Sequence, residues 1–544
     1  MRAAKYTGLK VWQESGVWRV QKYRGEIGML DEADRAEAEA AHNSRVAKLE
    51  QRIVQFDLAW QQELQITASL DGITPFACGE ALAERALSQP EKTHHMAGMK
   101  GEISRFVVET ALERGGAKVA GAVRRRASLA AAGFAATLGA LCAAAWLCLR
   151  SLGWPRLKDT GNRTIIAMHA EAANRTRHIR KALVNRTPKD TAVLIVGRLH
   201  VSAAQAQALL AQQGWSGDYA LAWDWRAVLG GLGRGFAILG QSSAVIYAAG
   251  FRPTFSQLTA MKLRILLGAG SAWRWNSRAR AAKSVVFGHV GRSDTILLEQ
   301  AIQKGGAKTA HWMHGLSVGH AYQGVSDMCI NLCRHDDEWH GRTLNYRANA
   351  SFPIARPPFR SGTKPGWVVL TNMTHYGYTY FPSIGPEHEL RLIRIVAEMA
   401  KRKGLDPALV TWKPHPVFYQ SDPVTRAAIV AALAEHGFTL WPEELMPFDY
   451  AAQFETVIVG PSGIVFDMMK QGRLPVLAEF QPIQPEHATA LCQPKCHDVS
   501  SLEQALSVVH DPVRAAMLYE QIWDQVGPGM IPALSEVETL LRAS

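Results

Sequence analysis

The chain is poor in cysteine, and its amino terminus lacks an apolar leader. Only 7 of its 544 residues are cysteine, and the opening MRAAKYTGLKVW has none of the uninterrupted apolar core that a secretory signal needs. We therefore expect reduced thiols and a cytoplasmic location. Cys329 and Cys333, like Cys492 and Cys496, do not form the repeated tight pairs of a zinc site. Buried thiols and no metal are predicted.

Acidic residues are outnumbered, but the excess positive charge forms no nucleic-acid motif. The chain has 60 Lys and Arg against 48 Asp and Glu, a net charge of +12, which favours polyanions, anionic lipid or phosphorylated ligands. The basic residues are scattered apart from Arg124–Arg126, so nucleic acid is not an expected partner. The glycine-dense GGLGRGF, Gly230–Phe236, lacks the preceding strand of a dinucleotide site, and no cofactor is predicted.

Charge is also absent from residues 127–149, ASLAAAGFAATLGALCAAAWLCL, which are long enough to cross a bilayer. The high alanine content weakens the expected insertion energy, and arginines on both flanks select no orientation. Three alternatives stay open: a spanning helix, a helix or hairpin in the membrane interface, and a buried helix of a soluble domain. The first two predict a chain associated with the cytoplasmic face of the inner membrane.

The length and the repeated pattern predict several packed units. Residues 1–126 are expected to be mainly helical, because 32–65 are rich in Ala, Glu and Leu without Gly or Pro. Over 157–351, apolar runs such as TAVLIVG alternate with helical stretches such as SAAQAQALLAQQG. After a Pro- and Gly-rich linker at 352–366, the alternation resumes over 367–544. The predicted fold class is therefore α/β, with two Rossmann-like doubly wound domains facing across a cleft.

Two motifs follow strands of the second predicted domain. In LVTWKPHPVF, Lys413, His415 and Pro416 come directly after an apolar run, where the carboxyl ends of parallel strands bind ligands. In TVIVGPSGIVFDMMKQG, Ser462 and Gly463 form the turn before a helix, whose free N–H groups would attract an anion. Together they predict a phosphate site without the Walker lysine.

These motifs resemble those of inverting GT-B glycosyltransferases, above all the bacterial sialyltransferases and Kdo-transferases that build capsule and lipopolysaccharide. Related glycerophosphate transferases of teichoic-acid synthesis share the resemblance. It is strongest over 365–480 and only architectural over 160–350. In the sialyltransferases, an HP motif and a serine motif hold the donor's cytidine monophosphate. The resemblance implies that role for His415 with Pro416 and for Ser462 with Gly463.

The chain departs from that family where the catalytic base should be. The sialyltransferases carry an acidic pair followed by glycine, whereas HDDEWHG here is expected to be a solvated helix start. An inverting transfer still needs a base for the acceptor hydroxyl. Asp294 is the first candidate, followed by His314 and His289, because all three lie near glycine turns after predicted strands of the first domain.

Further candidates line the predicted donor side. The segment TNMTHYGYTYF places Thr371, Asn372 and His375 after the first strand of the second domain. The predicted function is a metal-independent glycosyltransferase acting on a nucleotide-sugar, with CMP-sialic acid or CMP-Kdo favoured. Its predicted acceptor is a surface polysaccharide or a lipid-linked glycan. The alternatives are a CDP-glycerol or UDP-sugar transferase, a UDP-sugar epimerase, and a non-catalytic scaffold of a glycan-assembly complex.

Overall fold

The structure is a computed structural model, and it divides the chain into two compact units. The first-sheet unit comprises Val46–Ala68, Arg126–Pro353 and Gly529–Ser544, and the second-sheet unit comprises Met1–Arg45, Ser69–Arg125 and Ile354–Pro528. The structure describes residues 8–23, 37, 40, 44, 47–49, 51–52, 78–96, 108–109, 111–113, 115–120, 126–157, 160–161, 163–168, 183, 186–187, 189–196, 202–212, 214–248, 255–278, 282–288, 293–313, 326–343, 346–371, 386–415, 418–419, 423–441, 448–480, 488–530 and 532–543.

A small antiparallel sheet occupies part of the amino-terminal region, which the sequence analysis expected to be mainly helical. Its elements are β1 (Gly8–Glu14), β2 (Val17–Tyr23), α1 (Cys78–Ser88) and β3 (His94–Met96), with strand order β2-β1-β3. Ser15 and Gly16 join the first two strands, and both have positive φ, as the tightest hairpin turns require. The alternating Leu9, Val11 and Trp18, Val20 fill the core beneath. The hairpin was not predicted, and the expectation of a mainly helical region stays a prediction, because most of residues 24–77 lie outside the described residues.

The helix α2 (Arg126–Ser151) then leads into a seven-stranded parallel sheet of order β10-β9-β8-β7-β4-β5-β6. The further elements are β4 (Thr164–Met168), β5 (Thr191–Ile195), α3 (Ala203–Gln212), β6 (Tyr219–Leu221), α4 (Trp225–Ala248), α5 (Phe255–Arg278), β7 (Ser284–Phe287), α6 (Ser293–Lys304), β8 (Lys308–Trp312), β9 (Met328–Ile330), α7 (Arg334–Thr343) and β10 (Ala348–Ala350). In chain order, β4 to β6 are added toward one edge of the sheet, and β7 to β10 are then added toward the other edge. This is the doubly wound pattern.

The glycine-dense segment Gly230–Phe236 lies inside α4, where it serves helix packing rather than nucleotide binding. A Cβ at Gly231 would lie 2.3 Å from the carbonyl oxygen of Leu266, and one at Gly270 would lie 1.8 Å from that of Ala227. Only glycine allows the backbones of α4 and α5 to approach this closely. In the sequence the segment is only a weak dinucleotide motif, and its position in a helix explains its glycines.

The second parallel sheet has six strands in the order β13-β12-β11-β14-β15-β16. Its elements are β11 (Lys364–Leu370), α8 (Pro386–Lys403), β12 (Val410–Lys413), α9 (Pro423–Glu435), β13 (Thr439–Leu440), α10 (Phe448–Ala451), β14 (Phe454–Val459), α11 (Ile464–Lys470), β15 (Val476–Ala478), α12 (Ala488–Leu491), β16 (Lys495–Cys496), α13 (Val499–Val509) and α14 (Pro512–Val526). All pairs are parallel, so the predicted α/β class with two Rossmann-like sheets is confirmed.

The last helix, α15 (Leu534–Ala543), packs in the first-sheet unit, although the sequence analysis placed 367–544 in one domain. Leu534, Val537 and Leu541 enter the core of the first sheet. The buried Glu538 accepts hydrogen bonds from Thr164 at 2.5 Å, Arg186 at 2.6 Å and Lys283 at 3.2 Å. The amino ends of β4 and β7 are thereby connected to the carboxyl-terminal segment.

Candidate functional site

Three neighbouring strands of the second sheet end at the same level. In the pairing register, Leu370 of β11 lies opposite Lys413 of β12 and Val459 of β14. The alignment continues one residue further, because the amide of Thr371 donates to the carbonyl of Lys413 at 3.0 Å and that of Gly460 to Leu370 at 2.8 Å. The predicted donor-side residues on these three strands therefore lie at one sheet edge.

Lys413 and His415 differ in exposure. Lys413 ends β12 and is buried, with its ammonium 5.5 Å from the ring centroid of Tyr419. His415 is exposed, and its carbonyl accepts a hydrogen bond from the amide of Phe418 at 2.8 Å. Pro416 lies outside the described residues. The strand end presents a cation and an imidazole, groups that suit a phosphate.

A buried carboxylate at this edge was missed in the sequence. Glu389, in the first turn of α8, accepts hydrogen bonds at Oε1 from the Thr371 hydroxyl at 2.5 Å and from the Trp412 indole at 2.7 Å. It therefore connects the ends of β11 and β12 and fixes the position of Thr371. The sequence signal is PEHE, an acidic helix start, which is also the ordinary pattern of a solvated first turn. Only the fold shows that Glu389 is buried.

Ser462 and Gly463 lie in the turn between β14 and α11, as predicted. The Ser462 hydroxyl accepts the amide of Ile464 at 3.3 Å, and Gly463 has φ −56°, a conformation open to any residue. The helix α11 is only seven residues long and carries Asp467 in its first turn. A short helix with an acidic first turn attracts anions weakly, so the cationic Lys413 contributes more positive potential at this edge than the helix end does.

The segment after α11, QGRLPVLAEF, is held by Arg473. Its guanidinium is buried and donates to the carbonyls of Ala452 at 2.7 Å and Glu455 at 3.0 Å, at the start of β14. Burial lowers the pKa of Arg473 to about 10, and the side chain stays charged at neutral pH. Beyond β15, the buried Glu479 pairs with Lys495 at 2.7 Å. Both residues position the strands beside the turn at Ser462.

The candidates for a base belong to the first-sheet unit. Asp294 is the second residue of α6, directly after β7, so its backbone lies near the carboxyl edge of the first sheet. His314 and His289 lie outside the described residues, as do Asn372 and His375 from the donor side. His311, at the end of β8, is fully buried, and its Nδ1 lies 3.5 Å from Glu299 and 3.3 Å from the Tyr346 hydroxyl. Its burial indicates a structural role.

The acidic cluster in HDDEWHG starts a helix, as expected, but Asp336 is not solvated. Asp336 is buried in the first turn of α7, and burial raises its pKa to about 7. Asp337 accepts hydrogen bonds from Ser351 at 2.6 Å and from Asn331 at 2.8 Å. The solvated interpretation of this pair is therefore wrong, because tertiary contacts cover the helix start.

Four cysteines are buried free thiols, as predicted: Cys329, Cys333, Cys492 and Cys496. Burial raises the pKa of Cys492 and of Cys496 to about 12, so both remain protonated and unreactive at neutral pH. Among the side chains that the structure describes, no group of three or more His, Cys, Asp and Glu is placed to hold a metal ion.

Comparison with known proteins finds similarity in structure alone. No family model and no curated protein matches the sequence. The solved structures that are similar include MnaA from S. aureus with UDP (TM-score 0.41, 10% identity, covering 70% of this chain and 95% of that one). They also include UDP-GlcNAc 2-epimerase from Neisseria meningitidis bound to UDP-GlcNAc (TM-score 0.40, 11% identity, 70% and 98%). MurG from Acinetobacter baumannii is a third (TM-score 0.39, 12% identity, 70% and 100%).

Proposed function

We propose that the chain is an enzyme that acts on a nucleotide-activated sugar and binds the nucleotide phosphates at the carboxyl edge of the second sheet. The reaction we favour is glycosyl transfer to a glycan or lipid-linked glycan acceptor. The observation that carries the proposal is the convergence of predicted ligand residues on three adjacent strand ends, which are Lys413 and His415 after β12, Thr371 after β11 and Ser462 after β14. Such an edge is where doubly wound folds bind phosphorylated ligands.

The charge distribution at this edge suits an anionic leaving group. The ammonium of Lys413 offers a full positive charge, and His415 offers a second donor when protonated. The carboxylate of Glu389 at this edge already accepts two hydrogen bonds from Thr371 and Trp412. A nucleoside diphosphate formed by breaking the glycosidic bond would be stabilised by such donors without a metal ion.

The acceptor hydroxyl must lose a proton as it attacks the anomeric carbon. We propose Asp294 as that base, since a carboxylate at the start of α6 follows a strand end of the first sheet. His314 is the next candidate and His289 the third. Each would receive one proton for each glycosidic bond formed.

UDP-linked sugars come before CMP-linked sialic acid or Kdo as ligands to test, because UDP and UDP-GlcNAc are the ligands in the similar solved structures. The epimerase among these structures makes epimerisation of a UDP-sugar the second candidate. An epimerase would convert its substrate alone, whereas a transferase would require an acceptor.

The test is titration calorimetry of the full chain with UDP, CDP and CMP, comparing the wild type with Lys413→Met and His415→Gln. We expect one nucleotide to bind and Lys413→Met to weaken it about a hundredfold, the loss of one desolvated charge–phosphate interaction. Lys364→Met is the matched control, because Lys364 lies at the opposite end of β11. Equal losses in the two lysine variants, or no binding by folded wild type, would overturn the proposal.

The reaction is then assigned by following the bound nucleotide-sugar with and without lipid-linked acceptors. Release of nucleoside diphosphate only with an acceptor indicates transfer. Isomerisation without an acceptor indicates an epimerase. Asp294→Asn should abolish transfer while leaving nucleotide affinity unchanged, and retained transfer by this variant would remove Asp294 as the base.

A further inference from the structure

Helix α2 has an unusual distribution of side chains around its axis. Over residues 131–151, whose side chains the structure describes, the exposed positions are all apolar, and the large ones among them are Phe134, Leu138, Trp146 and Leu149. Phe134 is 68% exposed and Leu149 is 70% exposed, although burial of such side chains is strongly favourable in water. Most of its buried positions are small, namely Gly133, Ala136, Ala140 and Ala144, and Leu147 is the large buried side chain among residues 131–151. A helix of a soluble core shows the opposite distribution.

The small residues bring α2 close to α4 and α5. A Cβ at Gly133 would lie 3.3 Å from that of Ser243 in α4, and a Cβ at Gly139 would lie 3.1 Å from the Phe255 ring in α5. Small residues at helix contacts with large apolar residues facing outward are typical of helices in lipid. Phe255 is itself more than half exposed beside Gly139 and extends the same surface. We call Phe134, Leu138, Trp146, Leu149 and Phe255 the apolar face.

We propose that the apolar face of α2 lies in the surface of a lipid bilayer. The chain from 127 to 149 is uncharged, and Ala131–Ser151 has a mean hydropathy of 1.8. At one end, the Arg150 guanidinium stacks on the Trp146 ring at 4.8 Å, an arginine and tryptophan pair suited to the headgroup level. In the sequence, Arg124 and Arg125 precede the other end. Basic residues at both ends select anionic headgroups.

The packing of α2 favours an orientation in the membrane plane over a crossing. The contacts at Gly133 and Gly139 and the buried Ala144 extend over about three turns, so α2 cannot leave α4 and α5 without exposing these surfaces. A crossing would take the neighbouring helices with it, and α5 contains the buried Lys262 and Arg264. Charges at the centre of a bilayer are costly. The proposal is independent of the nucleotide-sugar chemistry.

Flotation of the full chain with vesicles tests the surface. The outward variant, Phe134→Gln with Leu149→Gln, should reduce partitioning onto vesicles of phosphatidylcholine and phosphatidylglycerol at least about tenfold. The matched control is Val513→Gln with Met517→Gln, because these side chains on α14 are 69% and 68% exposed. The control should float like the wild type. Equal losses in the two variants would overturn the proposal.

A second copy of the chain on the apolar face, instead of lipid, would give a different result. If the wild type fails to float but sediments as a dimer that the outward variant disrupts, a second copy covers the face and the lipid proposal fails. Melting temperatures check folding, because the substituted side chains are largely exposed and should leave stability unchanged.

Protease digestion of vesicle-bound chain, tagged at both termini, tests the orientation. A helix in the membrane plane leaves both tags accessible from outside. Protection of one tag would show a crossing and overturn the in-plane arrangement.

Discussion

The carboxyl edges of the two parallel sheets use their polar side chains differently. At the first sheet, Asn331 follows β9 and bonds to Asp337 at 2.8 Å and to His340 at 2.6 Å, so its polar atoms are used within the unit. At the second sheet, the carboxylate of Glu389 is used in this way, and the same edge also carries the cationic Lys413 and the exposed His415. A polar residue after a strand is therefore not by itself a ligand site. The charge and the exposure of its side chain have to be considered as well.

The largest expected effect concerns the stability of the first-sheet unit. Glu538→Ala should reduce the free energy of unfolding by about 3–5 kcal/mol, since it leaves Arg186 and Lys283 beside an empty buried position. Burial alone would raise the pKa of Glu538, but hydrogen bonds from Thr164 and Lys283 and the charge of Arg186 hold it below its usual value. The stabilisation is thus present at neutral pH and lost as pH falls through the folded pKa.

Denaturant unfolding at pH 7 and at pH 4 measures this effect. The difference between wild type and Glu538→Ala should shrink at the lower pH. Glu520→Ala is the control, because Glu520 lies on α14 in the second-sheet unit and forms a largely exposed ion pair with Arg356. An equal loss in the two variants would contradict the role of Glu538.

At the second sheet, Glu389→Leu should lower the free energy of unfolding by about 2–4 kcal/mol, because it leaves the Thr371 hydroxyl and the Trp412 indole without their acceptor. Glu389→Gln keeps an acceptor oxygen and should cost less. We also expect nucleotide affinity to fall about tenfold in the Leu variant, since Thr371 loses its fixed position. Unchanged affinity in folded Glu389→Leu would show that this carboxylate only stabilises the sheet.

Asp336 should show the opposite pH dependence to Glu538. Its folded pKa of about 7 exceeds the usual 3.8, so the folded state binds the extra proton between these values. As the pH rises through that window, the contribution of Asp336 to the free energy of unfolding falls by up to about 1.4 kcal/mol for each pH unit, and it is constant at higher pH. Asp336→Asn should raise the melting temperature at pH 8 and remove this dependence. A variant that retains the wild-type slope would contradict the assignment.

Ser462→Ala should give the smallest effect, a loss of nucleotide affinity of about threefold, the size of one neutral hydrogen bond. Its hydroxyl already accepts the amide of Ile464, and α11 is short. Titration calorimetry of Ser462→Ala and Lys413→Met under the same conditions compares the two losses of nucleotide affinity. A larger loss for Ser462→Ala would show that the turn, rather than the strand end, holds the phosphate.

The strands were largely predictable, because fully buried parallel strands have continuous apolar runs. The runs WVVL and TVIV predicted two strands of the second sheet, β11 and β14. The segment WKPHP predicted that Lys413 and His415 lie at a strand end. The hairpin β1–β2 could also have been predicted, since Ser15 and Gly16 lie between two segments of alternating apolar and polar residues. The greater weight given to the Ala- and Glu-rich segment 32–65 obscured that signal.

Sequence alone determined the α/β class, the position of the basic strand end and the apolar character of α2, because these depend on local pattern. Tertiary structure decided which strands are neighbours, and so brought Thr371, Lys413 and Ser462 to one edge. It also buried Asp336 and Glu389, docked α15 on the first sheet, and turned the large side chains of α2 outward. These outcomes depend on contacts between residues far apart in the chain, which a local pattern does not encode.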